Sequence, residues 1–273
     1  MTHGHPKLRG FTEHSVTANG FEIRYWERGD SDQLPLVAVH GAGGPDGHAT
    51  GPAFEILAQR RRVIALELPG FGGSPANNRT TSGREMAATL AAAVAAVGIE
   101  KYALTGTSMG AIVALWWAVD FADNVASVSV EAPAAFRCCT TRPANLLTDR
   151  DVFIRAFNAR PERKPWLSDY SPPALPEIYP RIMGPDVDES LVDALRSLEI
   201  PVLVLFGSDD GVISPDEAHH YKETIRDCWT MIVYDAAHDL KGDRPEAFAE
   251  VVDDFLTYGS KFLVNHHSTV LTP

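Results

Sequence analysis

The chain is poor in cysteine, with three in 273 residues. An odd number cannot all pair within one chain, and Cys138 and Cys139 are adjacent, where a disulfide would close a strained ring. Free thiols in a reducing compartment are the expectation. Positive charge is also scarce: 24 Lys and Arg stand against 36 Asp and Glu, a formal net charge of −12. No basic run exceeds Arg60-Arg61-Arg62, so neither a nucleic acid nor an anionic membrane surface is an expected partner. No apolar run is long enough to span a bilayer. The first residues, Met1-Thr2-His3-Gly4-His5, lack the charged-then-apolar pattern of a secretory signal, which makes a cytoplasmic location the expectation. Internal repeats and low-complexity segments are missing too. No Cys/His cluster has the spacing of a zinc site. The glycine-rich stretch His40-Gly41-Ala42-Gly43-Gly44 has neither the Lys-Ser/Thr of a P-loop nor the spacing of a dinucleotide site. No metal and no cofactor are expected.

What the chain does have is alternation. Phe11 to Thr17 and Phe21 to Glu27 read as strands joined by Asn19-Gly20, a strong hairpin signal. Leu36 to Val39 and Val63 to Leu66 are short apolar strands flanking a helical pattern at Phe54, Leu57 and Ala58. The Ala-rich stretch from Thr81 to Val97 reads as a helix capped by Gly98. Strands follow at Val125 to Val130, Pro201 to Phe206 and Trp229 to Tyr234, with helices from about Pro215 to Ile225 and Arg244 to Leu256. Beyond Gly259 the polar tail is expected to fray. This order predicts an α/β fold with a mostly parallel sheet covered by helices on both faces. Residues 134–198 break the rhythm with eight prolines and short helical pieces at Asp151 to Phe157 and Glu189 to Leu198, as an insertion would. The expected organisation is therefore a core of residues 1–133 and 199–273, with 134–198 inserted.

The centre of this arrangement is Lys101 to Trp116, a short strand that turns into a helix through Gly106-Thr107-Ser108-Met109-Gly110. So abrupt a reversal strains its central residue, and the flanking glycines remove the Cβ atoms that would collide there. The Ser108 hydroxyl then projects beside the positive end of the following helix, a geometry suited to a nucleophile rather than to a helix cap alone.

Taken in order, His40-Gly41-Ala42-Gly43, Pro69-Gly70-Phe71-Gly72-Gly73-Ser74, Gly106-Thr107-Ser108-Met109-Gly110, Gly207-Ser208-Asp209-Asp210 and His238 resemble the α/β-hydrolase superfamily, its capped serine esterase branch in particular. The resemblance covers nearly the whole chain outside the insertion. Glu67 stands where the family usually has Asp, with no catalytic consequence expected. The resemblance implies that residues 134–198 form a helical cap over the site. It also implies Ser108 as nucleophile, His238 as base, and the Ala42 and Met109 amides as donors to an oxyanion. For the acid it points to Asp210, with Asp209 and Glu131 as alternatives. Asp235 and Asp239 lie too close to His238 in sequence to orient it and are expected to be solvated, as is the helical face bearing His219 and His220. The insertion's aromatics Phe136, Phe153, Phe157, Trp166, Tyr170 and Tyr179 either line an apolar pocket or form the insertion's own small core.

The implied function is hydrolysis of a small-molecule carboxylic ester or lactone through an acyl-serine, with no cofactor. A serine at the elbow argues against the dehalogenase and epoxide-hydrolase branches, which use aspartate. Carbon–carbon bond hydrolysis of a vinylogous diketone, or ligand binding without catalysis on the same fold, are the alternatives.

Overall fold

The structure, a computed structural model, describes residues 8, 10–44, 51–164, 167 and 174–262. Eight strands form one sheet: β1 (Thr12–Ala18), β2 (Phe21–Arg28), β3 (Leu36–Val39), β4 (Val63–Leu66), β5 (Tyr102–Thr107), β6 (Val125–Glu131), β7 (Val202–Gly207) and β8 (Cys228–Val233). Their spatial order is β1-β2-β4-β3-β5-β6-β7-β8. β1 and β2 pair antiparallel, as do β2 and β4, and every later pairing is parallel. The β1–β2 turn bears out the hairpin signal, because Asn19 (φ 48°) and Gly20 (φ 73°) both occupy the left-handed region that a tight two-residue hairpin demands.

The central strands are buried along their length and feed two cores by simple alternation. Val37, Val39, Leu104, Val202, Val204 and Phe206 point to one face, where they meet α2 (Gly83–Ala96), α3 (Met109–Asp120), α6 (Glu189–Arg196) and α7 (Ala218–Thr224). Leu36, Ala38, Ala103, Leu203 and Leu205 point to the other, against α1 (Pro52–Leu57), α8 (Leu240–Asp243) and α9 (Pro245–Tyr258). This is the expected parallel sheet with helices on both faces. α2 starts where Ser82 accepts from the Glu85 amide and ends before Gly98 at φ 86°.

Three boundaries differ from expectation for physical reasons. The helix expected from Pro215 begins as a 3₁₀ turn, Pro215–Glu217, before α7. The helix expected from Arg244 is preceded by the short α8, and Pro245 supplies the break because it has no N–H to continue the ladder. At the start of the tail a 3₁₀ turn, Gly259–Lys261, returns Phe262 to pack against Trp229 and Phe255, and the rest of the tail expected to fray lies outside the described residues. Between β6 and β7 lie α4 (Arg150–Phe157), α5 (Tyr179–Met183) and α6. No helix among the described residues is long and apolar enough to cross a membrane.

Candidate active site

The strand order reverses direction between β4-β3 and β5-β6, so the carboxyl ends of the adjacent strands β3 and β5 open a crevice at the sheet edge. Ser108 stands there between β5 and α3, with φ 54° and ψ −117°, a conformation non-glycine residues rarely adopt. Its backbone is fixed from several directions. The Ser108 amide donates to Glu131 O (2.9 Å), and its carbonyl accepts from Ala111 N and Ala134 N (both 3.1 Å). Close approach explains the two elbow glycines: a Cβ on Gly106 would sit 2.7 Å from Gly110 O, and one on Gly110 would sit 2.6 Å from Val39 O.

His238 lies beyond β8 with its side chain buried. Its Nδ1 faces the Asp210 carboxylate, 2.9 Å from Oδ2 and 3.1 Å from Oδ1. Asp210, beyond β7, is itself buried at the carboxylate and held by the amides of Val212 (2.8 Å) and Ile213 (2.9 Å). The two loops can lie this close because Gly207 has no Cβ; one there would overlap the carbonyls of Ala236 and Ala237. The Phe157 ring meets the imidazole edge-on, with centroids 4.8 Å apart.

The other two carboxylates weighed as the acid are engaged elsewhere. Asp209 is exposed and accepts from the Ser208 hydroxyl. Glu131 is buried in an ion pair with Lys241, and its carboxylate also accepts from the Thr107 hydroxyl (3.0 Å) and the Lys241 amide (3.1 Å). A carboxylate held this way braces the residue before Ser108.

Asp235 and Asp239 also depart from expectation, since neither is merely solvated. Asp235 pairs with Arg160 (2.6 Å), while Asp239 caps α8 and pairs with Lys164 (3.2 Å). The buried Lys164 ammonium also meets Asp243 (2.7 Å) and Asn158 (2.7 Å). Burial alone would lower the Lys164 pKa, but Asp239 and Asp243 outweigh it and raise it. This lysine fastens the chain after α4 to the segment that carries His238. Long-range partners of this kind leave no local signature, which is why sequence reading missed Lys164 and Lys241.

The β3 loop is set by His40. Its Nε2 accepts from the Leu68 amide (3.0 Å), so the proton resides on Nδ1, which donates to Gly41 O (2.6 Å). Both ring nitrogens are thereby engaged, and Gly41 and Ala42 are held beside the elbow; a Cβ on Gly41 would lie 3.3 Å from Ser108 Cβ. Met109 opens α3, where first-turn amides have no acceptor within the helix. Glu67 braces the neighbouring loop, accepting from Arg24 (2.7 and 3.0 Å) and from the Ser74 hydroxyl (2.6 Å).

Ala42, Gly43, Ser108 and His238 share one cavity of about 210 Å³. Its remaining walls are mostly apolar and come largely from the stretch between β6 and β7, including Leu146, Phe153, Phe157 and Tyr179; Arg142 is the only Lys, Arg, Asp or Glu among the described lining residues. Phe136 instead packs inward on Tyr221, with centroids 4.7 Å apart, and Trp166 and Tyr170 lie outside the described residues. The strained elbow serine and the buried His–Asp pair therefore meet at one apolar cavity, beside the loop after β3.

The family model for the alpha/beta hydrolase family matches residues 36–251, and the chain belongs to that family. Among curated relatives, the chain is 36% identical over 133 residues to the dihydrolipoyllysine-residue acetyltransferase component of the acetoin cleaving system of Pseudomonas putida, a match covering 48% of this chain and 35% of that protein. The aligned region thus spans about a third of that relative. It is 24% identical over 268 residues to 2-hydroxy-6-oxo-6-(2'-aminophenyl)hexa-2,4-dienoic acid hydrolase of Metapseudomonas resinovorans, covering 90% of this chain and 91% of that one. Among solved structures, the esterase RhEst1 of Rhodococcus sp. ECU1013 superimposes with a TM-score of 0.74 at 24% identity, covering 90% of this chain and 98% of that chain.

Proposed function

We propose that the protein is a serine hydrolase that cleaves a small carboxylic ester or lactone through an acyl-serine intermediate. The observation that carries this reading is the buried His238–Asp210 pair opening into the same cavity as the strained Ser108. Ser108 Oγ attacks the substrate carbonyl while its proton passes to His238 Nε2. The imidazolium that forms is stabilised through Nδ1–H by Asp210, which stays ionised. The Ala42 and Met109 amides hold the oxyanion, and each such donor is worth about 2.7–4 kcal/mol in the transition state. Collapse of the tetrahedral intermediate expels the alkoxide, which takes the proton from His238. Water, deprotonated by the same histidine, then attacks the acyl carbon and releases the acid and Ser108. Residues 134–198 serve as the cap, presenting Phe153, Phe157 and Tyr179 to the acyl or alkoxy group. These apolar walls favour a substrate with a hydrophobic portion.

A second reading, carbon–carbon bond hydrolysis of a vinylogous diketone, is favoured by the likeness along 90% of this chain to the dienoic acid hydrolase. A fluorophosphonate probe followed by peptide mass spectrometry tests the serine-hydrolase assignment. Labelling at Ser108, abolished by Ser108→Ala, is the expected result; an unlabelled native protein would defeat it. A panel of esters, lactones and diketones then separates the two reactions by turnover.

A further inference from the structure

Away from the cavity, four side chains with metal-ligating atoms meet where the chain leaves β6. Cys138 and Cys139 come from the loop after that strand, Glu217 from the 3₁₀ turn before α7, and His220 from α7 itself. Roughly eighty positions separate the two halves, so no spacing motif announces them. One donor atom from each residue lies within 4.8 Å of all the others. No spacing in the sequence marks this group, and His220, expected on a solvated face, is half-buried.

Three of the four donor separations between these side chains have the size a tetrahedral centre needs, and the fourth, His220 Nε2 to Cys138 Sγ, is shorter. Bonds of about 2.3 Å to sulfur and about 2.0–2.1 Å to nitrogen or oxygen place tetrahedral donors about 3.3–3.8 Å apart. Here His220 Nε2 lies 3.0 Å from Cys138 Sγ and 3.5 Å from Cys139 Sγ. Glu217 Oε2 lies 3.5 Å from Cys138 Sγ and 3.7 Å from His220 Nε2.

A second observation concerns Glu217. Its side chain is fully buried, and Oε1 is engaged by the Cys139 amide (2.7 Å) and the Thr140 hydroxyl (2.9 Å), leaving Oε2 turned toward the thiol and imidazole. Among the described residues no lysine or arginine reaches this carboxylate; the only base within ion-pair distance is His220. A buried carboxylate is costly without a compensating charge, and a cation on Oε2 would supply one.

The ligands also sit on a rigid frame. The Tyr221 hydroxyl, next to His220, donates to Pro133 O (2.9 Å) and accepts from the amides of Ala135 (3.1 Å) and Phe136 (3.2 Å), fixing the loop to α7. The Phe136 ring stacks on His220 at 5.5 Å, and Arg137 is bound to the carbonyls of Gly184 (3.0 Å) and Pro185 (2.6 Å). Such support holds a donor set in place before metal arrives.

We propose that Cys138, Cys139, Glu217 and His220 form a four-coordinate site for a thiophilic divalent cation of the zinc class, which ties the start of segment 134–198 to α7. Two sulfurs and an imidazole select zinc-like ions over magnesium or calcium, which take oxygen donors. On binding, each thiol releases its proton to solvent as its sulfur–metal bond forms, so two protons leave per ion. None of the four residues lines the cavity, so the ion's role is structural and separate from hydrolysis.

The test is titration of the full-length reduced protein with Co²⁺ as a spectroscopic probe, followed by Zn²⁺. One equivalent of Co²⁺ is expected to produce thiolate-to-cobalt charge-transfer absorption with strong tetrahedral visible bands, and one equivalent of Zn²⁺ to bleach them. Cys138→Ser/Cys139→Ser and His220→Ala should each abolish the charge-transfer band. Cys228→Ser, which alters the buried thiol of β8, should retain it, as should His219→Asn/Glu223→Gln, which removes the competing exposed donors beside His220. Zn²⁺ should raise the melting temperature of the wild type and not of the double serine variant. Absence of the charge-transfer band in wild type, or its persistence in the double serine variant, would overturn the proposal.

Discussion

Nδ1 of His238 lies 2.9 Å from Asp210 Oδ2, and that carboxylate is itself held by two backbone amides, so the imidazole is oriented by a partner that cannot swing away. In the proposed mechanism Asp210→Asn would remove the charge that stabilises the imidazolium and can present an N–H where an acceptor is needed. We expect kcat on an ester substrate to fall on the order of ten-thousand-fold. Asp209→Asn should change it less than tenfold, because Asp209 is exposed and its carboxylate accepts from the neighbouring Ser208 hydroxyl rather than facing His238. Steady-state kinetics on the two variants would show a wrong choice of aspartate if the pattern reversed.

Glu131 and Lys241 make a different prediction. Both side chains are 1% exposed, and the ammonium also meets Thr107, the residue before Ser108. Removing one partner strands a buried charge, so Glu131→Gln and Lys241→Met should each cost about 3–5 kcal/mol of unfolding free energy. The double replacement Glu131→Leu/Lys241→Met should recover most of that loss, since no unpaired charge remains. Urea denaturation of the three variants measures it, and additive losses in a double-mutant cycle would contradict the pairing.

The elbow glycines can be tested by one methyl group. At Gly110 a Cβ would lie 2.6 Å from Val39 O and closer still to His40 O, both backbone atoms with little freedom to retreat. Gly110→Ala should therefore destabilise the protein by about 1–3 kcal/mol and slow fluorophosphonate labelling at Ser108. Gly98→Ala adds a methyl that meets nothing within 4 Å, so only the strain of φ 86° should register, with labelling unchanged.

Local signals explain how much of this could be read in advance. Asn19-Gly20 marked the hairpin because two left-handed residues in a row admit few alternatives, and Gly106 to Gly110 marked the elbow because its sterics act within five residues. The short, mostly apolar runs of β3, β5 and β7 were legible for the same reason: each reports its own burial. His238 for Asp210, Asp239 for Lys164, His220 for Cys138 and Lys241 for Glu131 lie 28 to 110 positions away, and nothing near any of them names its counterpart. The resemblance supplied Asp210; no resemblance supplied the lysines or the Cys/His/Glu cluster.

His40 links the site to pH. Burial pushes its pKa down from the ordinary 6.5 to about 4, against smaller upward contributions from the Gly41 carbonyl and Glu67. The direction agrees with the hydrogen bonds, since a proton on Nε2 would face the Leu68 N–H that this nitrogen accepts. Between pH 6.5 and pH 4 the unfolded chain binds a proton here that the native state refuses. Stability therefore rises with pH across this window and falls as acid is added. The contribution is fully present above pH 6.5 and amounts to about 3 kcal/mol, lost by pH 4. Urea unfolding between pH 7 and pH 4 should show a steeper decline for wild type than for His40→Gln, which retains a donor and an acceptor but does not titrate. Parallel declines for the two proteins would mean that His40 is not the group responsible.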